Sequence, residues 1–255
     1  MKGLIFAFLL FLSTKSIADE IQLSNQYLKI NRQNEIGWQS NLSAKATLSQ
    51  KWDVGLLANY LERFHLFEKR LGALAVYKPN EAWVIEARYL HAQENAELLP
   101  TNQYILSVYH SLSDGFAPFL TYQNSQYSVT HVQTLRLGVE IEKMKNILLI
   151  PQALIGQAYF HNPKGTREVN SLGLKAVYSI EQQYFLSVFA FKGVEASQAI
   201  LGSSSELVET KTAGAGVGYY FSEGLKAEAI FDYTDLGKLN NQFVTTTLNL
   251  SWIFQ

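Results

Sequence analysis

The feature that most restricts the fold of this chain is a strict two-residue alternation of apolar and polar side chains, repeated in segment after segment. In the last segment Val244, Thr246, Leu248, Leu250, Trp252 and Phe254 share one face. Thr245, Thr247, Asn249 and Ser251 share the other, with Ile253 the exception. The same pattern sets Leu225, Ala227, Ala229, Phe231 and Tyr233 against Lys226, Glu228, Ile230, Asp232 and Thr234. It sets Leu135, Leu137, Val139 and Ile141 against Arg136, Gly138, Glu140 and Glu142. Successive strand residues point to opposite faces, so each segment is a strand with one apolar and one polar face. Segments of about ten residues are long for a globular strand and match a tilted crossing of a bilayer. Hydrocarbon offers no hydrogen-bond partner to a sheet edge, so such strands must close into a barrel, apolar side to lipid and polar side to a lumen.

The N-terminus fits an exported protein. Met1-Lys2 precedes an apolar run from Gly3 to Leu12, and Ser16 and Ala18 make a small-x-small cleavage pattern. The run is too short to span a bilayer as a helix. It reads as a signal peptide over 1–18, with the mature barrel over 19–255; the alternatives are an uncleaved anchor or a buried helix. The chain has no cysteine, which excludes a disulfide scaffold, a thiolate metal site and a catalytic thiol. A formal net charge of −1 gives no field to recruit nucleic acid. No cofactor or nucleotide motif is present.

The expected fold is therefore all-β, a transmembrane antiparallel up-and-down barrel. About fourteen strands fall at 20–31, 36–49, 52–64, 70–78, 82–92, 102–112, 116–125, 132–143, 147–159, 170–180, 183–193, 211–221, 225–234 and 242–254. The first, fourth, ninth and eleventh alternate poorly, which keeps twelve strands as an alternative. Every second connection is short, as at Gln50-Lys51, Lys145-Asn146 and Glu223-Gly224. The longer ones include Gln93 to Pro100, His161 to Val169 and Val194 to Glu209. Short turns belong on the periplasmic side and long loops outside. Aromatic residues near strand ends, among them Trp38, Trp52, Tyr77, Trp83, Tyr122, Tyr159, Tyr178, Tyr219, Tyr233 and Trp252, would form two interfacial girdles. The alternative is core packing in a β-sandwich.

Leu250-Ser251-Trp252-Ile253-Phe254 resembles the terminal signal of Gram-negative outer-membrane proteins, with Gln255 as an extra residue. The polar stretch Asn31-Arg32-Gln33-Asn34, the Tyr60 to Arg63 pattern, the Arg88-Tyr89 pair and the final strand are similar to the YaiO-type outer-membrane barrel family. That resemblance implies an outer-membrane location and a porin-like or surface-polysaccharide role, and it brings no catalytic residues. The terminal signal implies contact with the barrel-assembly machinery, and the apolar face contact with outer-membrane lipid.

Lys45, Glu86, Arg88, Arg136, Glu140, Lys175, Lys226, Glu228 and Asp232, with Glu142, fall on polar faces and are the candidate pore lining. The competing reading is a lattice of ion pairs holding the strands in register. His65, His91, His131 and His161 lie near outer strand ends, and His110 near a turn. With Ser125, Ser128, Thr130, Glu62 or Glu94 they would suit a lipid-modifying hydrolase or acyltransferase only if base, nucleophile and carboxylate converge. No local motif assigns catalytic or metal-binding residues. Gly214, Gly216 and Gly218 share one face and leave room for a bulky neighbour, Tyr220 or an inward residue of an adjacent strand. The loop containing Gly202 to Ser205 would be either a constriction at the mouth or a surface loop. Function thus divides into a channel or export conduit with saccharides as one candidate solute, a non-conducting surface-binding barrel, and an enzyme.

Overall fold

The computed structural model describes residues 18–30, 35–63, 65–92, 96–112, 115–161, 164–181, 183–196, 207–237 and 242–254. The expected signal peptide up to Ile17, the Asn31 to Asn34 stretch, Glu94, the Gly202 to Ser205 segment and Gln255 lie outside the described residues.

Fourteen strands follow one another: β1 (Glu20–Ile30), β2 (Glu35–Ser49), β3 (Trp52–Arg63), β4 (Leu66–Asn80), β5 (Trp83–Ala92), β6 (Asn102–His110), β7 (Phe116–Gln126), β8 (Thr130–Met144), β9 (Ile147–His161), β10 (Lys164–Ile180), β11 (Tyr184–Ala196), β12 (Leu207–Ser222), β13 (Leu225–Asp235) and β14 (Gln242–Ile253). Each pairs antiparallel with its chain neighbours, and β1 pairs with β14 from Glu20↔Ile253 to Ile30↔Phe243. The sheet is a closed barrel with no free edge.

The apolar face points outward. Leu71, Leu172 and Leu48 are 71%, 69% and 67% exposed, whereas the inward Asp53 is 1% exposed. This inverts the usual inside-out distribution of a water-soluble domain. Aromatic pairs gather at both ends of that face. Trp52–Tyr77, Trp83–His110 and Tyr184–Tyr219 lie at the end of the short turns, with centroids 4.6, 4.0 and 4.8 Å apart. Tyr27–Trp38 and Tyr89–Tyr104 lie toward the other end, both at 4.9 Å. Trp38 is level with Glu62 on β3, ten residues along that strand from Trp52. At about 3.3 Å per residue and a tilt of about 40°, the girdles are about 25 Å apart, the height of a lipid-facing band.

The short turns have local causes. Asn146 takes the left-handed conformation (φ 66°) that a two-residue hairpin turn favours. Gly115 has φ 72°, and a side chain there would also meet the Glu142 carbonyl at 2.8 Å. The fourteen-strand count holds, but several strands are longer than their alternation indicates, β4, β10 and β12 most of all. β4 begins at Leu66, and β10 begins at Lys164, so most of the expected loop from His161 to Val169 is a paired ribbon against β9.

Candidate functional site

All the candidate lining residues fall on the inward face, opposite the exposed Leu, Trp and Tyr positions. They divide by partner. Lys45 reaches Glu20 at 2.5 Å and Asp53 at 4.0 Å, and Asp53 binds Lys78 at 2.7 Å. This chain of charges ties β1, β2, β3 and β4 together at the turn end. Arg88 pairs with Glu86 on its own strand at 2.6 Å. Glu228 accepts a long hydrogen bond from Asn249. Lys226 sits 4.3 Å above the Phe185 ring. Arg136, Lys175 and Glu140 make no ion pair among the described residues. The lattice reading therefore describes Lys45, Glu86 and Arg88 well, and leaves Arg136 and Lys175 unpaired.

Four inward glycines receive phenylalanine rings. Across the ladders Phe119 faces Gly138, Phe191 faces Gly173, Phe189 faces Gly214 and Phe185 faces Gly218. Each ring lies over its glycine closely enough that a methyl group there would overlap it. Phe185 is 4% exposed, so its ring lies against the wall and does not project into the lumen. The neighbour that fills the glycine gaps is thus the β11 row of phenylalanines and not Tyr220, which lies on β12 itself.

Three adjoining cavities occupy the mid-lumen. The largest, about 530 Å³, is bounded by β13, β14 and β1 to β6 through side chains such as Lys226, Asn249, Gln22, Asn41 and Gln103. The second, about 200 Å³, spans β5 to β9 and shares Arg88 and Ile105 with the first. The third, about 230 Å³, spans β8 to β12 and shares Arg136 and Leu154 with the second. Every strand touches this belt of space, and most side chains that reach it are polar.

The loop end is built differently. Glu68 on β4 points inward, and its carboxylate accepts the backbone N–H groups of Glu97, Leu98 and Leu99 at 2.5, 2.8 and 2.6 Å. This folds the described part of the β5–β6 connection, from Ala96 onward, into the mouth, where Leu98 and Leu99 pack on Leu61 and Leu66. Below it runs a polar ladder. Arg70 donates to Asn59 at 3.2 Å and to Gln103 at 2.9 Å, Gln103 donates to Ser125 at 3.0 Å, and Asn59 donates to Asn41. Two more apolar clusters line the same end: Ile30, Val208, Leu236 and Phe243, and Ala158, Phe160 and Val169. Glu68 escapes a reading that starts the fourth strand at Arg70, although its inward parity matches that of Arg70, a residue inside the expected strand that the candidate lining also omits.

Among the described residues, His91, His110 and His131 do not assemble with the hydroxyl and carboxylate candidates. His131 points outward from β8, bonded to Asn124 at 2.7 Å, while Ser125 points inward and is bonded to Gln103 and Gln123. His91 bonds Asn102 at 3.0 Å on the outer face, and His110 stacks on Trp83. No group of three or more His, Asp or Glu that could hold a metal occurs among the described residues.

No protein-family profile and no curated protein sequence matches the chain. Solved structures do. A bacterial polysaccharide outer membrane secretin aligns over 92% of this chain and 98% of its own at 11% identity, with a TM-score of 0.62. The CymD monoaromatic hydrocarbon channel aligns over 94% of this chain and 89% of its own at 11% identity and a TM-score of 0.60. A Pseudomonas aeruginosa FadL homologue aligns over 92% and 89% at 9% identity and a TM-score of 0.59. At these identities the likeness is one of fold: the chain has the architecture of outer-membrane β-barrels.

Proposed function

We propose that this chain is an outer-membrane channel for hydrophilic solutes of the saccharide class. The observation that carries the reading is the mid-lumen belt of space, touched by all fourteen strands, with Phe119, Phe185, Phe189 and Phe191 packed over glycines of the wall. An exposed apolar band about 25 Å high with two aromatic girdles is what a bilayer would cover. In that membrane the short turns face the periplasm and the loop end faces outward. β14, with Trp252 and Phe254 stacked at 4.8 Å, is the strand the assembly machinery would engage. The polysaccharide secretin and the YaiO-type resemblance agree with a saccharide role. The hydrocarbon channel among the similar folds points to an apolar solute, but the mostly polar side chains around the largest lumenal cavity favour hydrophilic ones.

One observation favours a second reading. The Glu68-anchored loop and the three apolar clusters narrow the outer mouth, which would suit a barrel closed at rest. Single-channel recording of the refolded protein in a planar bilayer decides between them. Stable current steps support the channel; a folded protein that never conducts refutes it.

A further inference from the structure

We propose that the lumen between β8 and β12 holds a subsite for an acidic saccharide, in which Arg136 takes the carboxylate and Phe191 is the platform for the sugar ring. The proposal deepens the saccharide reading above and rests on it. The site is the cavity of about 230 Å³ lined by Arg136, Gln152, Leu154, Ser171, Phe191 and Thr212. A pyranose has one face of C–H groups and a rim of hydroxyls. An aromatic ring matches the face, and amide and hydroxyl side chains match the rim, the usual makeup of a selective small-molecule site. The Phe191 ring is backed by Gly173, which leaves its other face available to the cavity.

The charge of the ligand follows from Arg136. Its neighbours across the ladders are Thr121 and Leu154, and the next inward residue along that row is Ser171. None is acidic. In the other direction the row runs through Ser107 to Glu86, three strands away and already held by Arg88. Most other lumenal cations have a partner: Lys45 and Lys78 share Asp53, Arg88 has Glu86, Lys226 has the Phe185 ring and Arg70 has two amides. Lys175, the second unpaired cation, follows Gly173 by two residues on the inward face of β10 and adds positive charge beside the same cavity. The nearest inward carboxylate on the strand of Arg136 is Glu140, four residues along β8. At about 3.3 Å per residue that is about 13 Å away, beyond ion-pair reach and beyond a Debye length in physiological salt. A guanidinium offers a planar fork of donors that fits a carboxylate with two parallel hydrogen bonds.

The test is calorimetric titration of the folded full-length barrel in detergent with a glucuronic acid trimer and a glucose trimer, at 50 and 500 mM KCl. The acidic trimer should bind about tenfold more tightly at low salt, the effect of one charge-assisted contact, and the advantage should shrink at high salt. Arg136→Gln should erase the advantage and leave glucose-trimer affinity unchanged. Phe191→Leu should weaken both ligands. Equal affinity for the two trimers, or an advantage that survives Arg136→Gln, overturns the proposal. Ion current recorded on the same preparation separates the two claims. Current without preference overturns the subsite and keeps the channel. Binding preference without current overturns the channel and keeps the subsite.

Discussion

Replacing Glu68 with alanine should release the β5–β6 loop from the mouth. Three backbone donors, those of Leu98 and Leu99 buried, then lose a charged acceptor, and bonds to a charged group contribute about 1.5 kcal/mol each at the lower end, so about 4.5 kcal/mol together. Burying Leu98 and Leu99, each 6% exposed, contributes about 4 kcal/mol more. Holding the five residues from Ala96 to Pro100 costs about 5–8 kcal/mol of conformational entropy. The closed loop is thus favoured by at most a few kcal/mol, and loss of the carboxylate tips the balance to the open form. A shift of about 4 kcal/mol is a change of about a thousandfold in the opening equilibrium. The chain has no cysteine, so a single cysteine introduced by Leu98→Cys can be labelled with a water-soluble maleimide. Labelling is expected to be slow with Glu68 present and to rise by orders of magnitude in Glu68→Ala, with Glu68→Gln between them because its one carbonyl oxygen still accepts. Equal labelling rates in the folded Glu68 protein and the folded Glu68→Ala variant would refute the account of the loop as held by this carboxylate.

Four further outcomes follow from the geometry. Leu56→Arg, at a 64% exposed position in the middle of the apolar band, should cost about 2–4 kcal/mol when folding into bilayers is followed by gel mobility; a soluble barrel would tolerate it within about 0.5 kcal/mol. Gly218→Ala forces the Phe185 ring off the wall and should lower stability by about 1–3 kcal/mol in urea titrations. Asp53→Asn removes the charge shared by Lys45 and Lys78; because those lysines are partly exposed, about 1–3 kcal/mol is expected in the same assay. Arg136→Gln should move the reversal potential toward cation selectivity under a KCl gradient, most strongly at low salt.

Much of the barrel is legible in the chain itself. Alternation over β8, β13 and β14 dictates strands with one lipid-suited face, and unpaired backbone groups cannot stay in hydrocarbon, so closure follows from those residues alone. The inward placement of Lys45, Arg88, Arg136, Lys175 and Lys226 follows from parity. The weakly alternating strands are weak for visible reasons. β4, β9 and β11 carry apolar residues on the lumen side as well, such as Leu74 and Val76, Leu148 and Ile150, and Phe185 and Phe189. β1 carries polar Asn25 and Lys29 on the outer side. Their strand character comes from backbone pairing with neighbours, which side-chain polarity does not encode.

What only the tertiary structure decided is which residues meet. The register sets Phe119, Phe185, Phe189 and Phe191 opposite glycines, and a one-residue slip of their strands would turn these rings toward lipid. Strand register brings Lys45 beside Glu20 and Asp53, and the folding of the β5–β6 loop seats Leu98 under a carboxylate thirty residues earlier in the chain. Parity places a side chain inside or outside a barrel because it is a property of one strand. Partners depend on register and on loop folding, which are properties of the whole closed sheet, and so the free Arg136 and the anchored loop come into view only once the sheet is closed.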